Sequence, residues 1–315
     1  MDDLLCHETW LSRPPVNSHH DFLDDSLSDD DVDPLFRFSN DCDGVYENEE
    51  LELAFFVCVE KEIAFIPDPN YVNYLYSNNL VLSRVRVIQW FLKCRSRLNL
   101  SFGTVFYAAN YLDRFISICQ CDNWRYWMIE LLSITCLSTA IKFNEISAFT
   151  LHEIQMESLD HSYESNIILR MELMLLKALG WRLNSVTAYS IVETVVSYVQ
   201  LSVRPYLHEQ IISRVTEILL QATLDLKMLD FRQSVVGISA LWSSIDQLYP
   251  SVSDAFIAYI SKLFNQSQKD DLINCHKIME ISTSLEGSGH HYCSLPKSPT
   301  TVLLLDSDIE VSFKT

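Results

Sequence analysis

Nine cysteines and nine histidines are the side chains best able to carry chemistry in this 315-residue chain, and their spacing decides what they could do. A nucleophile, a phosphate cradle or a zinc protease centre needs convergent groups, yet the sequence holds no G-x-S-x-G, no glycine-rich phosphate loop and no H-E-x-x-H. His19, His20, His290 and His291 lie near the chain ends, while His152, His161, His208 and His276 stand singly along helical patterns, where solvated or capping roles are the ordinary ones. Cys119 and Cys121 form the only close cysteine pair, and without a Cys or His partner at metal-ligand spacing their expected role is helix-end packing rather than zinc binding. An odd number of scattered cysteines with no apolar leader before them reads as reduced thiols in an intracellular protein. The expectation is a chain without catalytic residues, resident metal or cofactor. A different pattern stands near the N terminus, where Leu4, Cys6 and Glu8 alternate in Leu4-Leu5-Cys6-His7-Glu8. Alternation puts all three on one side of an extended strand, so two apolar side chains can enter pockets while the carboxylate seeks backbone donors at a helix end. That is the chemistry of a docking peptide.

Charge limits the partners. The net charge is −19, and the first sixty residues hold 17 acidic residues against Arg13 and Arg37, a balance of −15. Phosphate binding rests on clustered Lys and Arg releasing counterions, and no basic stripe is visible, so nucleic acid is not an expected ligand. The most apolar stretch, Leu131 to Ile141, is broken by Ser and Thr and is too short for a membrane span. A soluble protein is expected.

The elements that must position any site read as helices. From Pro69 to Pro205 there is no proline, and only Gly103 and Gly180 supply glycine, which leaves almost none of the punctuation a multistranded sheet needs. Apolar residues recur at helical spacing over Ser83–Leu98 and again after Ser101, a natural N-cap. A third helix is predicted from about Asn123 to Ile141, apolar nearly all round and therefore surrounded by others. Thr150 and Glu153 have capping-box spacing for a short fourth, and a fifth over Ser165–Leu179 stops at Gly180. A second set of five is predicted over Thr187–Leu201, Pro205–Met228, Ser234–Leu248, Ser251–Phe264 and Gln268 to about Leu285, so the period is one whole domain. Residues 1–48, rich in Asp and Ser, and the Gly-Ser-Pro-His tail after Glu286 are expected to be disordered arms.

Four blocks then acquire a meaning together. "NYLDRF" at Asn110 to Phe115, "IKFNE" at Ile141 to Glu145, "LRMELMLLKALGW" at Leu169 to Trp181, and Arg84 six residues before Trp90 resemble the N-terminal cyclin box. "LDFRQSVVGISALW" at Leu229 to Trp242 looks like the third helix of a more divergent second box, so the resemblance covers roughly 49–285. The chain is similar to the D-type cyclins of plants, as a divergent subgroup. The resemblance implies an all-α fold of two tandem five-helix boxes, 49–184 and 185–286. It also implies a non-catalytic subunit that binds and activates a cyclin-dependent kinase and promotes entry from G1 into S phase. Residue by residue, Arg84 and Asp113 match the family's buried ion pair, and Leu131 matches an apolar position beneath the kinase contact. Lys142 and Glu172 match the Lys and Glu that bond across to the kinase, with Phe143, Asn144 and Glu145 beside them. Leu4, Cys6 and Glu8 match the peptide that docks a retinoblastoma-related protein.

Further implications are regulatory. The acidic stretch around Ser26 and Ser28 resembles the degradation-prone arms of short-lived cyclins, and Ser298-Pro299 fits proline-directed phosphorylation. A kinase inhibitor protein is a third implied partner class, and nuclear as well as cytoplasmic location is implied without a basic import signal in view. Two departures stand out. Ser83 and Arg86 break the apolar line that would run with Val87 and Trp90 on the first helix, which weakens a substrate-docking patch there, and Gln233 stands where relatives usually have Pro. A transcription-linked protein on the same double box would usually show a zinc-binding lead segment or a basic DNA-facing surface, and neither is in the sequence. A helical adaptor without kinase contact remains the other alternative.

Overall fold

A computed structural model describes residues 44–121, 123–156, 160–199 and 205–286 of the chain. All regular structure among the described residues is helical. Helices α1 (Gly44–Glu62) and α2 (Tyr71–Ser77) precede two sets of five. The first set is α3 (Val81–Leu98), α4 (Phe102–Cys119), α5 (Tyr126–Asn144), α6 (Leu151–Gln155) and α7 (Ser165–Ala178). The second is α8 (Ala188–Val199), α9 (Pro205–Leu224), α10 (Gln233–Leu248), α11 (Pro250–Ile260) and α12 (Gln266–Glu286). Of the disordered arm expected over residues 1–48, residues 44–48 instead begin α1, and the rest, like the tail after Glu286, falls outside the described residues.

The two sets share one plan, because in each the third helix is the axle. Every residue of α5 from Ile129 to Ile141 is buried, and α5 touches α3, α4, α6 and α7. In the second set α10 touches α8, α9, α11 and α12. A helix with no polar face needs neighbours on all sides, and four helices supply them. Small polar residues are tolerated on α5 because Ser133 and Thr135 donate back to the carbonyls of Glu130 and Leu131 at 2.7 Å each. On α10 the device is absence of a side chain: a Cβ at Gly237 would stand 2.7 Å from the carbonyl oxygen of Ala188. Glycine there lets α8 and α10 approach closely.

Local chemistry sets the helix ends. Ser101 caps α4 by accepting from the Thr104 amide at 3.3 Å, and Thr150 with Glu153 forms the full capping box of α6. Gly180 takes φ +61° just past α7, and Trp181 follows at φ 61°. Departures from the sequence reading also have local causes. α9 stops at Leu224, short of Met228, because the Asp225 side chain accepts from the Lys227 amide at 2.9 Å and starts a tighter 3-10 turn over Leu226–Asp230. A second such turn, Ser261–Leu263, ends α11 at Ile260 rather than Phe264.

Helix α1 precedes the first set in sequence yet packs against α8 and α10 of the second. Phe55 is buried with its ring edge-on to Phe264 at 5.3 Å. At the other end Glu62, wholly buried, accepts from the Ser234 amide at 2.8 Å and the Ser234 hydroxyl at 2.9 Å. A carboxylate from α1 thus caps α10, whose own N-cap Arg232 makes no side-chain cap bond. Gln233 does the same for α8, its side-chain oxygen accepting from the Ala188 amide at 3.0 Å. Glutamine at that position therefore has a task that proline could not perform.

Candidate functional site

The site is built on the C-terminal end of α5. Asn144 and Glu145, where the helix stops, are stitched to the start of α4. The Asn144 amide donates to the hydroxyls of Ser101 at 2.8 Å and Thr104 at 2.9 Å. Glu145 accepts from the Ser101 amide at 2.8 Å and from the Thr104 hydroxyl. A carboxylate at a helix N terminus meets the positive end of its dipole, so the junction is held by charge as well as by hydrogen bonds. Asn144 and Glu145 are thus bonded within the chain, and Lys142, Phe143 and Asn144 of the "KFNE" run are exposed.

Lys142 and Glu172 meet across α5 and α7. The Lys142 ammonium lies 2.7 Å from both carboxylate oxygens of Glu172. Glu172 is nearly buried and also accepts from the Ser138 hydroxyl at 2.6 Å. The ammonium is different, since the Lys142 side chain is 53% exposed. A fixed carboxylate therefore holds a cation half in solvent, at a point where the next side chain, Phe143, is also exposed and leans edge-on against Tyr107 at 5.5 Å. Burial, with Glu193 adding to it, pushes the Tyr107 phenol upward and keeps it neutral.

Exposed apolar side chains stand close to this pair in the sequence. Leu169 and Leu173, one turn apart on α7, are exposed, as is Ile146 just beyond α5. Exposed apolar groups rimmed by a fixed charge pair are the make-up of a protein-binding surface. The sequence reading did not single these residues out, although a signal was there: only Arg170, Glu172 and Lys177 are charged between Leu169 and Leu179, so α7 carries more apolar residues than one buried face can use. Leu131, by contrast, is buried in the core eleven residues before Lys142. At a helical rise of about 1.5 Å per residue its place along α5 is ~16 Å from that of Lys142.

Arg84 and Asp113 are brought together deeper in the bundle. The guanidinium is bidentate to the carboxylate, Nε to Oδ1 at 2.7 Å and the second nitrogen to Oδ2 at 2.8 Å, and both side chains are buried. Two partners were not visible in sequence. The Tyr71 hydroxyl of α2 donates to Asp113 Oδ1 at 2.8 Å, and the remaining Arg84 nitrogen donates to the Thr223 carbonyl of α9 at 2.9 Å. Burial alone would favour losing the Arg84 proton, but Asp113 more than offsets it and the guanidinium stays charged. Burial, reinforced by Asp113, pushes the Tyr71 phenol well up, so it remains a donor.

On α3 the remaining line does not form an apolar patch: Val87 and Trp90 are buried, Ser83 is half-buried and Arg86 is exposed. Leu4, Cys6, Glu8, Ser26, Ser28 and Ser298 lie outside the described residues. Among the described residues no helix is long and apolar enough to cross a membrane.

The known proteins that this chain resembles point the same way. Residues 54–184 match the family described as "Cyclin, N-terminal domain". The chain is 50% identical to rice cyclin-D7-1 (Oryza sativa subsp. japonica) over 95 residues, 30% of either chain. It is 28% identical to Cyclin-D1-1 of Arabidopsis thaliana over 70% of this chain and 66% of that one. The matches thus span less than two thirds of the length of each of these relatives. Among solved structures, a viral cyclin from herpesvirus saimiri superposes with a TM-score of 0.53, covering 65% of this chain and 87% of that one at 14% identity, which shows a shared fold. The first of the two five-helix sets is thus the part that matches the N-terminal cyclin domain, and the described chain shares the cyclin fold. The relatives it resembles are plant D-type cyclins.

Proposed function

We propose that this chain binds and activates a cyclin-dependent kinase through the α5–α7 face and brings a retinoblastoma-related protein to it for phosphorylation, promoting passage from G1 to S phase. The observation that carries the proposal is the half-exposed Lys142 ammonium, clamped by the nearly buried Glu172 and flanked by exposed Phe143, Leu169 and Leu173. A protein kinase transfers phosphate only when its strand Lys is paired with its helix Glu and its activation loop is ordered, so activation is a positioning task. A rigid partner suits it. The stitched α4–α5 junction gives Lys142 and Phe143 a fixed platform, and the apolar rim offers the area on which a mobile kinase helix can settle. Leu4, Cys6 and Glu8 supply recruitment, so that the substrate is tethered to the same complex and its effective concentration at the kinase rises. Ser298 is a candidate for proline-directed phosphorylation, a kinase inhibitor protein is a candidate third partner, and the complex acts in the nucleus as well as the cytoplasm.

Coexpression with candidate cyclin-dependent kinases, followed by capture of the chain and an assay on a retinoblastoma-type substrate, tests both halves. Kinase activity should copurify, and Lys142→Ala with Glu172→Ala should abolish it. Deleting Leu4 to Glu8 should lower activity toward the retinoblastoma-type substrate and leave a generic peptide substrate unaffected. Full activity in the double variant would overturn the face, and no affinity of the first fifteen residues for a retinoblastoma-type pocket would overturn the recruitment.

A further inference from the structure

We propose that Arg95, backed by Phe102 and Tyr189, is a second anchor for the kinase and takes a carboxylate from a kinase residue set among apolar ones. The inference rests on the kinase-binding reading of the α5–α7 face and extends that surface across α4 to α3 and α8.

Arg95 is a half-buried cation to which the fold gives no acceptor. Its side chain makes no hydrogen bond or ion pair among the described residues, and its Nε is sealed from solvent without a partner. What holds it is an aromatic face: the guanidinium lies 3.7 Å from the centroid of the Phe102 ring. Burial lowers its affinity for the proton, with the Tyr189 phenol opposing, so the unpaired charge is carried at a cost. A carboxylate from outside would offset that cost. A guanidinium placed beforehand on a ring, with its fork unused, suits a carboxylate held by two parallel hydrogen bonds.

The rings beside Arg95 lead back to Lys142. Phe102 stands 6.5 Å from Tyr189, which stacks on Phe106 at 5.1 Å. The Tyr189 phenol donates to Glu193, whose charge is also felt by Tyr107, and Tyr107 meets the exposed Phe143 edge-on at 5.5 Å. Over the start of α4 the two ends of this strip close up: a Cβ at Gly103 would lie 3.5 Å from the Asn144 amide and 3.9 Å from the Tyr189 ring. Arg95, Phe102, Tyr107 and Tyr189 are half-buried. The strip thus offers an arginine among aromatic rings, the side chains that dominate binding energy at protein interfaces. One guanidinium balances one charge, and Glu193 on the flank repels a second, so a carboxylate fits better than a phosphate dianion.

Titration of the full chain with purified candidate cyclin-dependent kinases, in the absence of substrate, tests the anchor. Arg95→Gln should weaken kinase binding about tenfold or more, and Arg95→Lys, which keeps the charge but loses the planar fork, should restore little of it. Arg86→Gln is the control. It lies nine residues before Arg95, about two and a half helical turns, so it makes the same charge change on the opposite side of α3 and should leave affinity unchanged. A thermal melt by circular dichroism establishes that each variant is folded. Unchanged binding by Arg95→Gln, or an equal loss in Arg86→Gln, would overturn the anchor and leave the α5–α7 face standing. If only phosphorylation of a retinoblastoma-type substrate fell, the carboxylate would be the substrate's and the assignment to the kinase wrong. Failure of the unaltered chain to bind any of the kinases would remove the face and the anchor together.

Discussion

Arg84 organises four elements with one side chain. From α3 it grips Asp113 of α4, shares that carboxylate with Tyr71 of α2 and reaches the Thr223 carbonyl of α9, so one charge joins both helical sets. Removing the carboxylate leaves a buried, uncompensated guanidinium. Asp113→Ala should therefore cost about 3–5 kcal/mol of stability, read as a lower midpoint in urea unfolding. Lys142 is the opposite case. Its ammonium is half in solvent but its partner Glu172 is nearly buried, so Lys142→Ala should cost more than the ~1 kcal/mol of an exposed pair and less than the ~3–5 kcal/mol of a fully buried one, while removing the proposed kinase contact. As bare residue types the two cations look alike. Only burial separates the one that holds the fold from the one available to a partner.

Elements explain why the blocks lie where they do. "IKFNE" is the end of α5, where the axle of the first set emerges from the core and its side chains pass from buried Ile141 to exposed Lys142 and Phe143. In the second set the axle is held close to α8 by Gly237, with the Ala188 carbonyl 2.7 Å from any added Cβ. That neighbour is backbone and cannot swing aside. Gly237→Ala should destabilise the chain by about 1–3 kcal/mol, despite alanine's better helix propensity, and a thermal melt would show it as a lowered midpoint. Helix existence and most boundaries were legible because apolar period and capping residues are local: Ser101, Thr150 with Glu153, and Gly180 act where they were read. Helices α1 and α2 were not resolved in advance, since α1 takes its place from contacts with α8 and α10 far along the chain.

At the scale of the molecule, the two sets are joined by side chains that cap across the join. Gln233 caps α8, the Phe106 and Tyr189 rings stack at 5.1 Å between α4 and α8, and Glu62 carries α1 to the start of α10. Burial raises the Glu62 carboxyl above its ordinary value, more than the Ser234 bonds and Arg232 lower it. The folded chain therefore keeps a proton that the unfolded chain releases first. The stability tied to that proton is full below the unfolded carboxylate value near 4.5 and is lost as pH rises through the folded one. Glu62→Gln should flatten the fall in stability across that window, measured by urea unfolding from pH 4.5 to 7. An unchanged slope would mean that Glu62 does not titrate apart from its partners.

Much of this protein was determined by the sequence alone: helices rather than strands, two sets of five, and the Arg84, Asp113, Lys142 and Glu172 positions, because periodicity, capping and motif spacing are written within a few residues or a few turns. Tertiary structure alone decided what each side chain faces. It bonded Asn144 and Glu145 to the start of α4, set Leu131 in the core away from Lys142, exposed Leu169 and Leu173, and gathered Asp246, His276 and Glu280 from two helices. Exposure and partnership depend on which distant surfaces meet, and no local pattern encodes that.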